Sequence, residues 1–334
     1  LNGVNQGYGY VLAVVMLAVG LFVLAFNQWF VGKRKSFTTV TGKSSQVSLV
    51  KLRGARTPIS VGVLFMFLLV AILPLLSFAV ESFTMVTGNY NPSNFTSIFW
   101  LGKGSTDIAN GEPGILRNKY IYLGLWNSIK LSVCCAFVAG TAGVLCGYAV
   151  VKRRGSRLSG VVNSLAFFPY LMPAMAFGAI YLSMFTQKNG FIPPLYGTFT
   201  LLVLIGSVKY LPFASRAGVN AMLQLSNEIE EAAVIQGVSW WKRMVKIIFP
   251  IQKTSFLSGY LLPFISCMRE LSLFILLVTP ANRVLTTQLF QYNEKGWNQY
   301  ANAINLLIIV VVLFFNLVIN KLTGASIDKG IGGS

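Results

Sequence analysis

Few side chains here could do chemistry. The 334 residues include 9 Asp and Glu, 27 Lys and Arg, 4 Cys and no His, so the usual general acid or base near neutral pH is missing. Cys134, Cys135, Cys146 and Cys267 all lie in apolar runs, where buried free thiols are expected rather than disulfides or a zinc site. No catalytic or metal-ligating set is expected. Two constellations remain. Arg269 and Glu270 are adjacent within an apolar run, and such ionisable residues pair with a partner or line a pathway. Both readings stay open: a pathway lining, or an ion pair between helices. The second constellation is Glu230-Glu231-Ala232-Ala233, then Gly237, then Ile247 and Pro250. Its chemistry is mechanical, that of a loop gripped by another protein.

The spacing predicts how that loop is built. Asn227 with Glu228, Glu230 and Glu231 places a capping residue and acids at a helix start, where free amides and the dipole favour negative charge. Gly237 then ends the helix in the left-handed conformation, Ser239 caps a second short helix, and Pro250 bounds it. A first helix of about ten residues is marginal alone. It needs a partner surface, and Ala232 and Ala233 let a groove come close.

The elements that hold these residues are membrane spans. With 54% hydrophobic and 11% charged residues, the composition is that of an all-α polytopic membrane protein. About seven transmembrane helices are expected, near 8–31, 59–80, 124–150, 159–186, 195–222, 251–279 and 299–320, with kinks at Pro74, Pro169, Pro173, Pro212 and Pro263. The charge of +18 is not read as nucleic-acid binding, because the basic residues cluster between apolar runs. Lys33, Arg34, Lys35, Lys43, Lys51, Arg53 and Arg56, then Lys152 to Arg157, then Lys242 to Lys253, all fall on the cytoplasmic side by the positive-inside bias. Segments 81–122, 187–194 and 280–298 fall outside, as does Leu1, and Ser334 is cytoplasmic. The chain opens on Leu1 without a signal-peptide pattern and is expected to be part of a longer protein.

Glu231-Ala232-Ala233, Gly237 and, after nine residues, Ile247 and Pro250 resemble the coupling loop of binding-protein-dependent ABC importer permeases, with Phe249 where that family usually has Leu. Leu125-Trp126-Asn127-Ser128 resembles the start of the permease core. Met268-Arg269-Glu270-Leu271-Ser272, Thr279-Pro280-Ala281-Asn282 and Leu285-Thr286-Thr287 are similar to the ferric-iron branch, in which one polypeptide carries two permease halves.

The resemblance implies a type I ABC importer permease-like bundle. Residues 1–31 would be the last helix of a preceding half, 32–58 a basic linker, 59–320 a six-helix permease domain and 321–334 a tail. It implies a multi-pass protein of the bacterial inner membrane that imports iron(III) or a ferric chelate. Its partners would be a pair of ABC ATPase subunits, a periplasmic or lipoprotein solute-binding protein, the amino-terminal permease half and membrane lipid. The chain itself binds no cofactor and is not an enzyme. ATP-Mg belongs to the ATPase, since no phosphate-binding G-x-x-x-x-G-K-[ST] loop occurs in the sequence. The alternatives are a permease for phosphonate, thiamine, sulfate or polyamine, or an ion-coupled secondary transporter. A membrane enzyme would need a convergent set of acids, bases or metal ligands.

Overall fold

The computed structural model describes residues 6–31, 53–186 and 193–323. Among them the secondary structure is helical, apart from two isolated bridges pairing Thr84 with Phe95 and Ser105 with Ile108. The expected linker lies outside the described residues up to position 52. Its last part is already helical: a 3-10 turn at Arg53–Ala55 leads into α2, three residues earlier than the expected span.

The first helix, α1, is Gln6–Val31. Helices α2 (Arg56–Phe67) and α3 (Leu73–Glu81) are joined by a π-helical turn at Leu68–Ile72. Pro74 follows that turn and has no N–H for the carbonyl four residues back, which a wider turn accommodates. After a short α4 (Ile98–Leu101), α5 (Lys119–Lys152) begins at Asn118, whose side chain accepts from the Tyr120 amide at 2.9 Å. Its 34 residues extend about 51 Å, well beyond a hydrocarbon core of about 30 Å.

Two expected spans turn out differently. The run 159–186 is not one helix: α6 (Arg157–Leu171) and α7 (Ala174–Phe185) meet at 103°. Met172 precedes Pro173 and takes an extended conformation, ψ 132°, as steric conflict with the proline ring demands. The carbonyls freed at this break are satisfied from another helix. Lys209 on α8 (Phe199–Leu223) donates to the carbonyls of Pro169, at 3.0 Å, and Met172.

The run 251–279 also stops early. Helix α9 (Asn227–Ile235), α10 (Trp240–Arg243), a π-helical turn at Met244–Ile248 and α11 (Phe249–Ile251) precede α12 (Lys253–Met268), which ends at Arg269. The chain then turns, and α13 (Leu285–Glu294) packs inward with Leu285, Thr286, Thr287, Gln288 and Tyr292 buried. The polar sequence of 280–298 reads as a loop because its hydrogen-bond partners are remote: Ser128 accepts from the Leu285 amide at 2.8 Å, and Thr286 donates to the Glu270 carbonyl at 2.7 Å. Helix α14 (Asn298–Thr323) closes the bundle.

Among the described residues, three continuous helices, Arg56–Glu81, Lys119–Lys152 and Asn298–Lys321, are long and apolar enough to cross a membrane, or four if the bent α6–α7 pair is counted as one span. The centre is α5, α8 and α12, packed mutually. Small residues let α5 and α8 cross closely. A Cβ on Gly147 would lie 2.3 Å from the Gly218 carbonyl carbon, and one on Gly218 would lie 2.3 Å from the Gly143 carbonyl oxygen. Without a hydrophobic drive between helices in lipid, such backbone approach is what packs them.

Candidate functional site

The 226–252 loop folds as helix, turn, helix. Ser226, not Asn227, is the N-cap: its hydroxyl accepts from the Glu228 amide at 3.3 Å, and Asn227 is the first helical residue. Glu228 and Glu230 occupy the first turn of α9, while Glu231 begins the second. At the other end Gly237 has φ +70°. Its amide donates to the Val234 carbonyl at 2.9 Å, and the Val238 amide reaches back to Ala233 at 3.0 Å, the paired bonds of a Schellman ending. Ser239 stands at the start of α10 but makes no side-chain cap bond. Pro250 lies inside the three-residue α11, and the break before α12 is at Gln252.

Glu230 fixes this loop to the bundle. Its side chain is only 8% exposed and lies 2.6 Å from the Lys152 ammonium at the end of α5 and 3.6 Å from Arg243 on α10. The Tyr148 hydroxyl donates to it at 2.6 Å. Burial alone pushes this carboxyl up, but hydrogen bonds from Lys152 and Tyr148 and the charges of Lys152 and Arg243 outweigh it, so its pKa is lowered. Arg243 also donates to the Val238 carbonyl at 2.9 Å, and Lys152 to the Asn227 side chain at 2.9 Å. One carboxylate thus joins α5, α9 and α10.

What remains outside is a recognition surface. Ala233 is buried, but Glu231 and Ala232 are exposed, with Val234 beside them. Ile235 is 86% and Trp241 69% exposed, and Val245 and Ile251 are also outward. Ile247 is half-buried; its neighbours Met244 and Ile248 hold the turn to the core. Apolar residues gathered at one exposed loop, rimmed by charge, mark a protein contact.

Arg269 and Glu270 lie just beyond the end of α12, not within a continuous helix. They form no ion pair with each other or with another helix among the described residues. Glu270 instead accepts from the Tyr210 hydroxyl at 2.7 Å and the Leu273 amide at 3.0 Å. Both residues line a cavity of about 480 Å³ shared with Lys209, Tyr210, Tyr170 and Phe213. The structure therefore brings Arg269 and Glu270 to one space, and keeps Glu230 to Pro250 in a separate group.

Several participants were not singled out in the sequence. Tyr148, Lys152 and Arg243 gather around Glu230; the basic cluster at 152–157 opposite the acids at 228–231 was an available signal. Lys209 was readable as an unexplained cation in an apolar run, and Gly143-x-x-x-Gly147 as a close-packing stripe.

Comparison with known proteins follows the same lines. Residues 139–327 match the family model described as binding-protein-dependent transport system inner membrane component. The chain is 27% identical over 324 residues to the ferric transport system permease protein FbpB of Actinobacillus pleuropneumoniae, covering 92% of this chain and 43% of that protein. It is 28% identical to a putative ferric transport system permease of Haemophilus influenzae, covering 82% and 41%. It is 22% identical to the maltose/maltodextrin permease MalG of Yersinia pestis, covering 78% and 88%. The chain thus spans less than half the length of the ferric relatives. Among solved structures, a chain of the bacterial alginate ABC transporter bound to its periplasmic protein aligns with TM-score 0.58 at 12% identity, covering 81% of this chain and 95% of that one. A chain of the MetNI methionine ABC transporter in an inward-facing conformation gives 0.51 at 16%, covering 60% and 93%. Such low identities carry the fold alone.

Proposed function

Because this chain belongs to the family of binding-protein-dependent transport system inner membrane components, we propose that it is the permease part of an ATP-driven importer for iron(III) or a ferric chelate. Its all-α bundle has the type I ABC importer fold. The two ferric relatives match most of the chain at 27% and 28% identity, which supports iron over the sugar of the MalG relatives. Residues 1–31 then belong to a preceding permease half, 32–58 to a linker, 59–320 to the permease domain and 321–334 to a tail. The end bearing Lys152 and the 226–252 loop faces the cytoplasm, and the 81–122 segment faces the binding protein.

One observation carries the mechanism: Glu230 locks α9 to the bundle while Glu231, Ile235 and Trp241 stay exposed. A force applied to that face is transmitted through Glu230 and Lys152 into α5 and, through the Gly143–Gly218 crossing, into α8. ATP-Mg closes two ATPase subunits, which draw the coupling loops together and rock the bundle between two states. The chain handles neither nucleotide nor hydrolysis.

An affinity-tagged chain, solubilised with its partner subunits, is expected to retain an ATPase subunit. Ile235→Asp should remain in the membrane and lose that subunit. Retention by the variant equal to the parent's would remove α9 as the docking element.

A further inference from the structure

The cavity between α8 and the end of α12 differs from the docking loop in chemistry. Two cations, Lys209 and Arg269, and one carboxylate, Glu270, line it beside the hydroxyls of Tyr170 and Tyr210. Its acceptor is already engaged: Glu270 receives the Tyr210 hydroxyl on one oxygen and the Leu273 amide on the other. Of its two cations, Lys209 is engaged as well, donating to the carbonyls of Pro169 and Met172 at the α6–α7 break. Arg269 is exposed and its side chain makes no hydrogen bond or ion pair among the described residues, leaving its planar fork of donors available for a carboxylate or phosphate. Arg216 continues the positive series. It sits seven residues past Lys209 on the same face of α8, about 10.5 Å along the axis, with its guanidinium 4.8 Å from the Phe167 ring centre.

We propose that this cavity receives anionic oxygen groups, so that the solute is an iron(III) chelate of net negative charge rather than the bare ion. This rests on the importer reading above and narrows its substrate. A trivalent cation would meet a net positive wall whose single carboxylate is already hydrogen-bonded. A chelate would instead present carboxylate or phosphate oxygens to Arg269, with Arg216 next along the helix.

The test titrates iron-free citrate and inorganic pyrophosphate onto the solubilised complex of the full chain with its ATPase subunit, and offers radioactive ferric citrate to the same complex in proteoliposomes. At least one anion should bind saturably, and comparing the two separates a carboxylate from a phosphate preference. Arg269→Gln should weaken that binding at least about tenfold, the size of one charge-assisted hydrogen bond, while Arg269→Lys recovers part of it. Glu270→Gln removes the cavity's negative charge and should tighten it, which a purely structural pairing of these residues does not predict. Binding-protein-stimulated ATP hydrolysis reports that each variant is folded. The inference falls if neither anion binds the parent, if Arg269→Gln binds as the parent does, or if Glu270→Gln abolishes iron uptake while hydrolysis stays coupled. Anion binding that depends on Arg269 without iron uptake by the parent would keep the cavity and reject iron. Iron uptake insensitive to Arg269→Gln would do the reverse.

Discussion

Glu230 and Glu231 are neighbours in sequence with separate tasks: the first is buried against Lys152, the second is exposed with no partner among the described residues. Glu230→Gln should loosen the loop, since removing one member of a partly buried pair leaves the other uncompensated, a loss of about 1–3 kcal/mol. A spin label at Ile235 in that variant should be more mobile than in the parent at about pH 5 and above. In the parent, the pair's contribution is fully present above the carboxyl's unfolded value of about 4.3 and is lost only as pH falls through the lower folded value. The label should therefore stay equally restrained from about pH 8 to pH 5 and loosen only in stronger acid. Loosening near neutrality would place the restraint elsewhere.

Helix α9 was legible in the sequence because its signals are local: first-turn acids, a left-handed glycine and a spacing that needs no remote contact. Only its cap was displaced by one residue, to Ser226. A kink at Pro173 was legible, but its size, a 103° break, and the inward course of α13 were not, because their backbone groups are satisfied across the fold by Lys209, Ser128 and Thr286. The glycines separate into two kinds with different predictions. At Gly237 an added Cβ meets nothing within 4 Å, so Gly237→Val acts through its positive φ, at about 1–3 kcal/mol, and should impair uptake more than membrane level. At Gly218 the space itself is missing. Gly218→Ala should lower the thermal midpoint of the solubilised complex, as overpacking costs about 1–3 kcal/mol. Gly160 on α6 has open space around it, and Gly160→Ala should leave the midpoint unchanged or raise it. Equal effects at 218 and 160 would discard the close crossing.

For the whole molecule, the proposed orientation rests on the basic loops. A single Cys in place of exposed Thr106, in a background without the native cysteines, should react with an impermeant thiol reagent in intact cells; one in place of exposed Ser239 should not. The reverse pattern would invert the bundle. The apolar surface of α2 and the π-helical turn after it, with Phe65, Met66 and Val70 exposed, fits lipid or the proposed other permease half. The central claim is that the exposed face of α9 couples an ATPase to this bundle, and the most direct measurement is binding-protein-stimulated ATP hydrolysis by the reconstituted complex carrying Glu231→Lys. Reversing a charge near the helix start costs only about 0.3–1 kcal/mol, too little to unfold the bundle. The variant should therefore reach the membrane at the parent's level and lose both stimulated hydrolysis and uptake. Hydrolysis stimulated as in the parent, with normal uptake, would contradict the account.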